Sequence, residues 1–230
     1  MCGRFACFID IKTLIEAFGL DQLPDPQFDL PSRFNIAPSQ EILAICQNGD
    51  GYRHPKAFRW GLIPHWAKEP SIGNRLINAR SETIHQKPSF RSALRYRRCL
   101  IPANGFFEWV REGKTKQPYF IHRKDDAPLA FAGLWESWKA PQETIHSCTI
   151  LTTKANALVA PIHDRMPVIL SPAEYGVWLD REVDDPEKLT GFYRPFPADL
   201  LAVYPVSSAV NSPKTQGEEC ILALQSQRRG

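Results

Sequence analysis

The sequence predicts an α+β fold, a single domain with a curved, barrel-like and mostly antiparallel β core flanked by short helices. Short stretches rich in β-branched and aromatic residues outnumber helical patterns and do not alternate with them regularly. The 20 prolines are spread through the 230 residues, which is typical of turns in an irregular fold. The length suits one large β-rich domain. We therefore predict one domain over residues 1–224 and a polar, frayed tail over residues 225–230.

Three segments predict helices. "IKTLIEAFGL" has apolar residues at helical spacing, with Gly19 as the C-cap. "SPAEYGVWL" has Ser171 as N-cap and Pro172 at the first helical position. "DDPEKLTGF" predicts a further short helix. Seven segments predict strands: residues 41–47, 98–101, 105–110, 117–123, 129–135, 146–153 and 201–206.

Composition excludes several classes of function. The net charge of +3 is only mildly basic and does not by itself indicate nucleic acid. No apolar run approaches the ~20 residues needed to span a bilayer. A signal peptide is not apparent at the N-terminus, so we expect a cytoplasmic protein with reduced thiols that does not bind membranes.

The cysteines do not have the spacing of a metal site. None of the six forms a C-x-x-C pair, and H-E-x-x-H is missing. Motifs for dinucleotides, nucleotide phosphates and α/β-hydrolase chemistry are missing too. We therefore expect neither a metal nor a cofactor. Cys46, Cys99 and Cys148 lie among Ile and Leu and are predicted to be core residues.

Cys2 stands at an unusual place. If Met1 is removed, the α-amine and the thiol of Cys2 lie on adjacent carbons, a pair that no interior cysteine offers. The alternative is that Cys2 is a small apolar residue at the start of a strand.

Glu108 lies between Phe107 and Trp109 in an otherwise apolar strand. Because strands alternate faces, Glu108 either faces solvent or is a carboxyl with a raised pKa, suited to proton transfer.

Two polar segments resemble catalytic loops. His163 lies in "PIHDRMP", where two prolines restrict the backbone, so it is either an acid–base imidazole or part of a solvated turn. Asn78 and Arg80 share a face of an extended segment, where they either orient a reacting group and hold a phosphate, or cap a helix that starts near Ser81.

Arginines and tryptophans add candidates for nucleic-acid contact. The run "RSALRYRRC" is interpreted as a solvated face, whereas Arg4, Arg80 and Arg165 each lie beside a candidate catalytic group. Most tryptophans are expected in the core. Trp66 is the exception, because it lies in a Pro- and Gly-flanked loop and an aromatic ring there can stack on a base.

Taken together, these stretches resemble the SRAP family, the SOS-response-associated peptidase domain, over nearly the whole chain. The motifs in the family's order are "MCGRFA", "RFNIAPSQ", "WGLIPHWA", "INARSET", "RRCLIPANGFFEW", "IHDRMPVIL" and "VSSAVNS". The departures, at Phe34, Asn104 and Phe107, leave the glutamate in place and concern substrate preference.

The resemblance implies covalent capture of abasic sites in single-stranded DNA during DNA damage repair, by a monomer in the cytoplasm at the nucleoid or replication fork. The amine of Cys2 would condense with the open-ring sugar aldehyde and the thiol would close a thiazolidine. By the same resemblance Asn78, Glu108 and His163 complete the catalytic set. The implied DNA-binding residues are Gly3, Arg4, Trp66, Arg80, Ser81, Thr152 and Arg165.

Two alternatives stay open. Cys2, Glu108 and His163 suit a peptidase with an N-terminal nucleophile, which either cleaves other peptides or only removes its own Met1. The second alternative is a noncatalytic module that binds single-stranded DNA.

Overall fold

A computed structural model describes residues 2–21, 31–113, 115–140 and 142–224, and the predicted tail lies outside these ranges. Within them the strands are β1 (Phe5–Cys7), β2 (Arg33–Ile36), β3 (Glu41–Gln47), β4 (Arg53–Trp60), β5 (Asn78–Arg80), β6 (Arg98–Ala103), β7 (Gly105–Glu112), β8 (Thr115–Arg123), β9 (Leu129–Lys139), β10 (Thr144–Lys154), β11 (Arg165–Pro167), β12 (Ile169–Leu170) and β13 (Leu201–Pro205). The α-helices are α1 (Ile11–Phe18), α2 (Arg91–Tyr96) and α3 (Tyr175–Leu179), and short 3₁₀ helices fill several connections.

The larger sheet closes on itself. Its strands follow the order β10-β4-β3-β6-β9, and β9 pairs with β10 again, so that these strands form a barrel. β5 and β11 join β10, and β12 joins β9. Only β4 and β5 run parallel to their partner β10 among the described pairs, which confirms a barrel-like, mostly antiparallel core.

A second sheet, in the order β13-β8-β7-β1-β2, covers the barrel. Phe5 of β1 packs edge-on against Trp60 and Phe131 of the barrel, with ring centroids 5.2 and 5.9 Å apart. In β7, Phe106 belongs to the same core as Phe131, whereas Phe107 packs in a smaller core on the other face. β7 is therefore buried on both of its faces over residues 105–108.

The predicted helix ends are largely confirmed. Gly19 ends α1 with a left-handed φ of 58°, a conformation that glycine adopts without strain. Ser171 and Glu174 cap the segment that opens α3, and the Ser171 N–H donates to the Glu174 carboxylate at 2.7 Å. The segment Pro186–Phe192 is a 3₁₀ helix and not an α-helix.

Arg98 corrects the interpretation of "RSALRYRRC" as a solvated face. Its side chain is buried, and the guanidinium donates to the carbonyl groups of Leu94, Arg95, Trp178 and Asp180. These acceptors surround the planar donor group, so the charge is held without a carboxylate. Arg91 and Arg95, by contrast, are exposed as expected.

We expect Arg98→Ala to lower the free energy of unfolding by roughly 3 kcal/mol or more, because buried carbonyl groups lose a charged donor. Arg95→Ala removes the same charge from an exposed position and should change stability by less than about 0.5 kcal/mol. Urea unfolding of both variants measures the difference. Equal transition midpoints would show that the buried guanidinium contributes no net stability.

Candidate active site

The pairing of β1 with β7 brings the chain start next to Glu108. Phe5 lies opposite Phe106, and the Phe107 N–H donates to the Arg4 carbonyl at 3.0 Å. Continuing this antiparallel register places Gly3 across from Glu108. The segment "CGRF" therefore runs directly along the strand that carries the carboxyl group.

Glu108 does not face solvent, so the solvent-facing alternative is wrong. Its residue is 3% exposed, since β7 lies between the barrel and the second core. Burial raises the pKa of its carboxyl to about 7, compared with an ordinary value of 4.5. A group with this pKa can donate and accept a proton near neutral pH.

Cys2 is fully buried beside this carboxyl group. Its Sγ lies 3.9 Å from the Arg4 carbonyl oxygen, within reach of a weak S–H hydrogen bond. Burial raises the pKa of the Cys2 thiol, and the negative charge of Glu108 raises it further. The thiol is consequently protonated at neutral pH and needs a base in order to react.

His163 lies in the loop between β10 and β11. The Arg165 N–H donates to its Nδ1 at 2.9 Å, and the Asp164 carboxylate lies 3.0 Å from the same nitrogen. Burial lowers the pKa of the imidazole below its usual range, so His163 is mostly neutral at pH 7. In the neutral ring, Nδ1 accepts the hydrogen bond from the Arg165 backbone N–H, and Nε2 carries the ring proton.

Glu108 and His163 meet at an open cleft of about 580 Å³, and Cys2 is buried beside Glu108. Its lining comes from the chain start, the β7–β8 hairpin, the loop before β11 and the 3₁₀ helix near residue 211. The lining residues are Gly3, Arg4, Glu108, Trp109, Arg111, Lys116, His163 and Asn211.

Sequence reasoning missed half of this lining. Trp109, expected in the core, is only half-buried, and its indole N–H donates to Asn211 Oδ1 at 2.7 Å. Asn211 lies in the motif "VSSAVNS", and the presence of this family motif could have marked Asn211 as a site residue. Arg111 and Lys116 follow the apolar part of the hairpin, and no local pattern sets them apart from ordinary surface cations.

Arg4 is half-buried at the wall of the cleft. Its Nη1 donates to Asn35 Oδ1 and to the Val210 carbonyl, both at 2.7 Å. Its guanidinium carbon lies 6.0 Å from the centre of the Trp109 ring. These contacts fix the guanidinium and thereby shape the cleft wall.

A second group of predicted residues collects where β5, β10 and β11 meet. β5 runs parallel to β10, with Asn78 opposite Ile150 and Arg80 opposite Thr152. Asn78 Oδ1 is buried and has no hydrogen-bond partner among the described residues. Asn78 lies in a strand, so the alternative that it caps a helix is wrong. Arg80 is exposed at the end of this strand.

Arg165, Ser81 and Thr152 are buried in the same region. The Arg165 guanidinium forms a bidentate ion pair with Glu82, at 2.5 and 2.9 Å, and also donates to the Thr152 carbonyl at 2.6 Å. Arg165 lowers the pKa of Glu82, which stays ionised. The pair neutralises the guanidinium, and Ser81 and Thr152 offer little surface to a ligand.

Trp66 projects from an anchored loop, with 50% of its surface exposed. On one side His65 Nδ1 lies 3.3 Å from the Glu136 carboxylate. On the other, the Trp138 indole N–H donates to the Ala67 carbonyl at 2.7 Å. The exposed ring is therefore presented from a loop whose neighbouring residues are held in place.

Within the described ranges, no cluster of three or more Cys, His, Asp or Glu side chains is arranged to hold a metal ion. The helices of the described segments are too short or too polar to cross a membrane.

Fold and site together define a closed β-barrel protein with a basic cleft, where a carboxyl from the second sheet meets an imidazole from a loop of the barrel sheet and a buried thiol lies beside the carboxyl. The chain belongs to the SOS response associated peptidase (SRAP) family, whose sequence model matches residues 1–213. This confirms the resemblance that the motifs indicated.

Curated relatives cover almost the whole chain. The chain is 48% identical over 224 residues to the abasic site processing protein YoqW of Bacillus subtilis, covering 96% of this chain and 99% of that protein. It is 34% identical to the abasic site processing protein HMCES of Xenopus tropicalis, covering 97% of this chain and 78% of that one. A crystal structure of a protein from Bacteroides thetaiotaomicron superposes with a TM-score of 0.85 at 26% identity, covering 97% of this chain and 100% of that one.

The raised pKa of Glu108 predicts a pH-dependent loss of stability. In the unfolded chain this carboxyl ionises near 4.5, whereas in the folded protein it keeps its proton until about 7. Stability therefore decreases as pH rises between these values, by about 3 kcal/mol in all.

Glu108→Gln lacks this ionisation, so its free energy of unfolding relative to wild type should increase by about 3 kcal/mol between about pH 4 and about pH 8. Urea unfolding of both proteins across this range measures the difference, and other groups cancel because both proteins contain them. A difference that stays constant with pH would mean that the carboxyl of Glu108 has the same pKa in the folded and the unfolded protein, so that burial does not raise it.

Proposed function

We propose that this protein captures abasic sites in single-stranded DNA as a covalent DNA–protein crosslink, shielding the lesion during repair. The observation that carries the proposal is that Glu108 and His163 line one cleft, with Cys2 buried beside Glu108. The names of the curated relatives, abasic site processing proteins, support the lesion as the substrate.

The proposed reaction uses both nucleophiles of Cys2 after removal of Met1. An α-amine has a pKa of roughly 7.7–8.0, so a useful neutral fraction exists near neutral pH. That amine adds to the open-ring aldehyde of the abasic sugar and loses one water to form an imine. The thiol then adds to the imine carbon while its proton passes to the nitrogen, which closes a five-membered thiazolidine.

Glu108 is the proposed proton carrier for these steps. With a pKa of about 7, it can protonate the leaving hydroxyl during imine formation. As a carboxylate it can then accept the proton of the Cys2 thiol, which burial keeps protonated. The same transfers, run in reverse, open the thiazolidine.

His163 is proposed to assist opening of the sugar ring. Its neutral imidazole accepts the Arg165 N–H at Nδ1, so the ring proton is on Nε2 and can be donated to the sugar oxygen. Asn78 is proposed to bind the α-amine and the sugar. Its buried Oδ1, which lacks a partner among the described residues, can accept a hydrogen bond from an N–H of the amine.

Sequence-independent contacts to the DNA backbone complete the proposal. Arg80 and Trp66 have the exposed surface needed to hold a phosphate and to stack on a base. Gly3 and Arg4 lie at the cleft itself, where the missing side chain of Gly3 lets DNA approach closely.

Arg165 is proposed to contact a phosphate only when DNA is bound, by exchanging a Glu82 carboxylate oxygen for a phosphate oxygen, because the ion pair engages the guanidinium in the free protein. Ser81 and Thr152 are proposed to belong to the same DNA-binding region. The Thr152 carbonyl accepts from both the Arg165 guanidinium and the Ser81 N–H.

The alternative of a cysteine peptidase is weakened by the electrostatics of the site. A catalytic thiol in a peptidase is activated by a lowered pKa. Burial and Glu108 both raise the pKa of Cys2. A peptidase that cleaves other peptides and a noncatalytic DNA-binding module are outcomes of the first experiment below.

Cys2→Ala should abolish the stable crosslink while leaving the fold intact, because without the thiol the ring cannot close. Cys2→Ser should give at most a weaker, reversible adduct, since a hydroxyl is the poorer nucleophile. Incubation with a single-stranded oligonucleotide that contains one abasic site, followed by a denaturing gel and intact mass, measures the adduct.

A wild-type shift only on a native gel would favour the noncatalytic module, and cleavage of an added peptide would favour a peptidase. A stable Cys2→Ala adduct would rule out the thiazolidine.

Glu108→Gln should slow crosslinking and also slow release of a preformed crosslink, by about 10²–10⁴-fold, because the amide cannot exchange the proton. His163→Ala should slow the forward reaction more than the release if it acts on the sugar ring. A strand-exchange chase, in which excess abasic competitor is added to a preformed crosslink, follows both directions. Release from the Glu108→Gln adduct at the wild-type rate would make Glu108 a structural residue.

A further inference from the structure

Arg111 and Lys116 form a pair of like charges at the mouth of the cleft. They lie directly opposite each other in the β7–β8 hairpin, and both are exposed. Both also line the cleft that contains Glu108 and His163. Neither has an ion-pair partner among the described residues.

This arrangement costs stability in the free protein. Like charges directly opposite each other on neighbouring strands repel, and a carboxylate at either position would relieve the repulsion. A bound anion gives the same relief, and two cationic side chains from adjacent strands can contact one phosphate together. The concave surface concentrates their field on the cleft.

The other cations nearby are already engaged. Arg4 Nη1 is held by Asn35 and Val210, and Arg165 is held by Glu82. Glu108, the acidic residue of the cleft lining, is buried below its mouth. Arg111 and Lys116 are thus the lining cations whose charged ends remain available to a ligand.

We propose that Arg111 and Lys116 bind a backbone phosphate of the DNA strand next to the lesion, as a site separate from Arg80. Arg80 approaches from the barrel sheet, through β5, whereas the Arg111–Lys116 pair belongs to the second sheet. The two sites hold different phosphates of the strand and leave the sugar at Glu108 and His163. This inference rests on the proposed function, since it assigns a contact for the same substrate.

The test separates binding from chemistry by using the Cys2→Ala background. In it, Arg111→Gln/Lys116→Gln is compared with Arg91→Gln/Arg95→Gln, which removes the same charge from exposed positions on α2 outside the cleft. Fluorescence anisotropy measures the Kd for an abasic single-stranded oligonucleotide over a range of salt concentrations. The slope of log Kd against log salt should fall by about 0.7 for each phosphate that the hairpin variant no longer binds, and it should stay at the parent value in the control.

Neutral methylphosphonates, placed one at a time around the lesion, locate the contact. The parent and the control should bind more weakly when one particular phosphate is replaced, and the hairpin variant should be insensitive there. Arg80→Gln should be insensitive at a different phosphate. Identical salt slopes and methylphosphonate profiles for the hairpin and control variants would overturn the inference. A urea midpoint of the Arg111→Gln/Lys116→Gln variant that is equal to or above that of the parent excludes misfolding as the cause.

Failure of the proposed function would be seen in a different measurement from failure of the phosphate site. If the protein with an intact Cys2 gives no crosslink on a denaturing gel, the capture reaction is wrong. A hairpin-specific change in salt slope would still support the phosphate site in that case.

Discussion

The site depends above all on how β7 is placed. This strand pairs with β1 along its edge, and both of its faces are covered where it carries Glu108. Phe106 on one face and Phe107 on the other belong to two separate cores, so the strand that holds Glu108 has no solvent-facing side at that point. The same pairing carries the chain start along β7 and places Cys2 beside the carboxyl group. One structural constraint thus determines both the position of the thiol and the environment that changes its acidity.

Burial then gives the two groups complementary properties. The carboxyl of Glu108 holds its proton until about pH 7, and the thiol of Cys2 is kept protonated by the same desolvation. Neither is a strong nucleophile or a strong acid alone. Together they suit a reaction that moves protons in both directions, and suit poorly a mechanism that needs a permanent thiolate.

Buried arginines elsewhere in the chain are surrounded by hydrogen-bond acceptors instead. Arg98 is surrounded by backbone carbonyl groups, and Arg165 is matched by the bidentate carboxylate of Glu82. Both guanidinium groups are held by acceptors inside the protein and connect segments that are distant in the chain. Arg80, Arg111 and Lys116, by contrast, have exposed side chains. Because Arg98 and Arg165 are buried, fewer cations face a ligand than the number of arginines in the sequence indicates.

The sequence by itself determined the α+β class, the barrel-like core, the ends of α1 and the approximate positions of the seven longer strand patterns, because these follow from local periodicity and capping. It also determined family membership, through motifs in a fixed order. It did not reveal β1, β2, β5, β11 or β12, which have only two to four residues each and are strands only because neighbours pair with them. β4 was missed because charged residues interrupt its apolar pattern.

Tertiary structure alone decided which polar residues are buried. Alternation along "GFFEWV" predicts that Glu108 faces away from Phe107, but not whether that side meets water or a second layer. Likewise, "RRC" and "HDR" both look like exposed charged runs. Yet Arg98 of the first run is enclosed by the segment at Asp180, and Arg165 of the second by the segment at Glu82, each more than 80 residues away in the chain. Burial is a property of packing between distant segments, and local sequence carries no direct record of it.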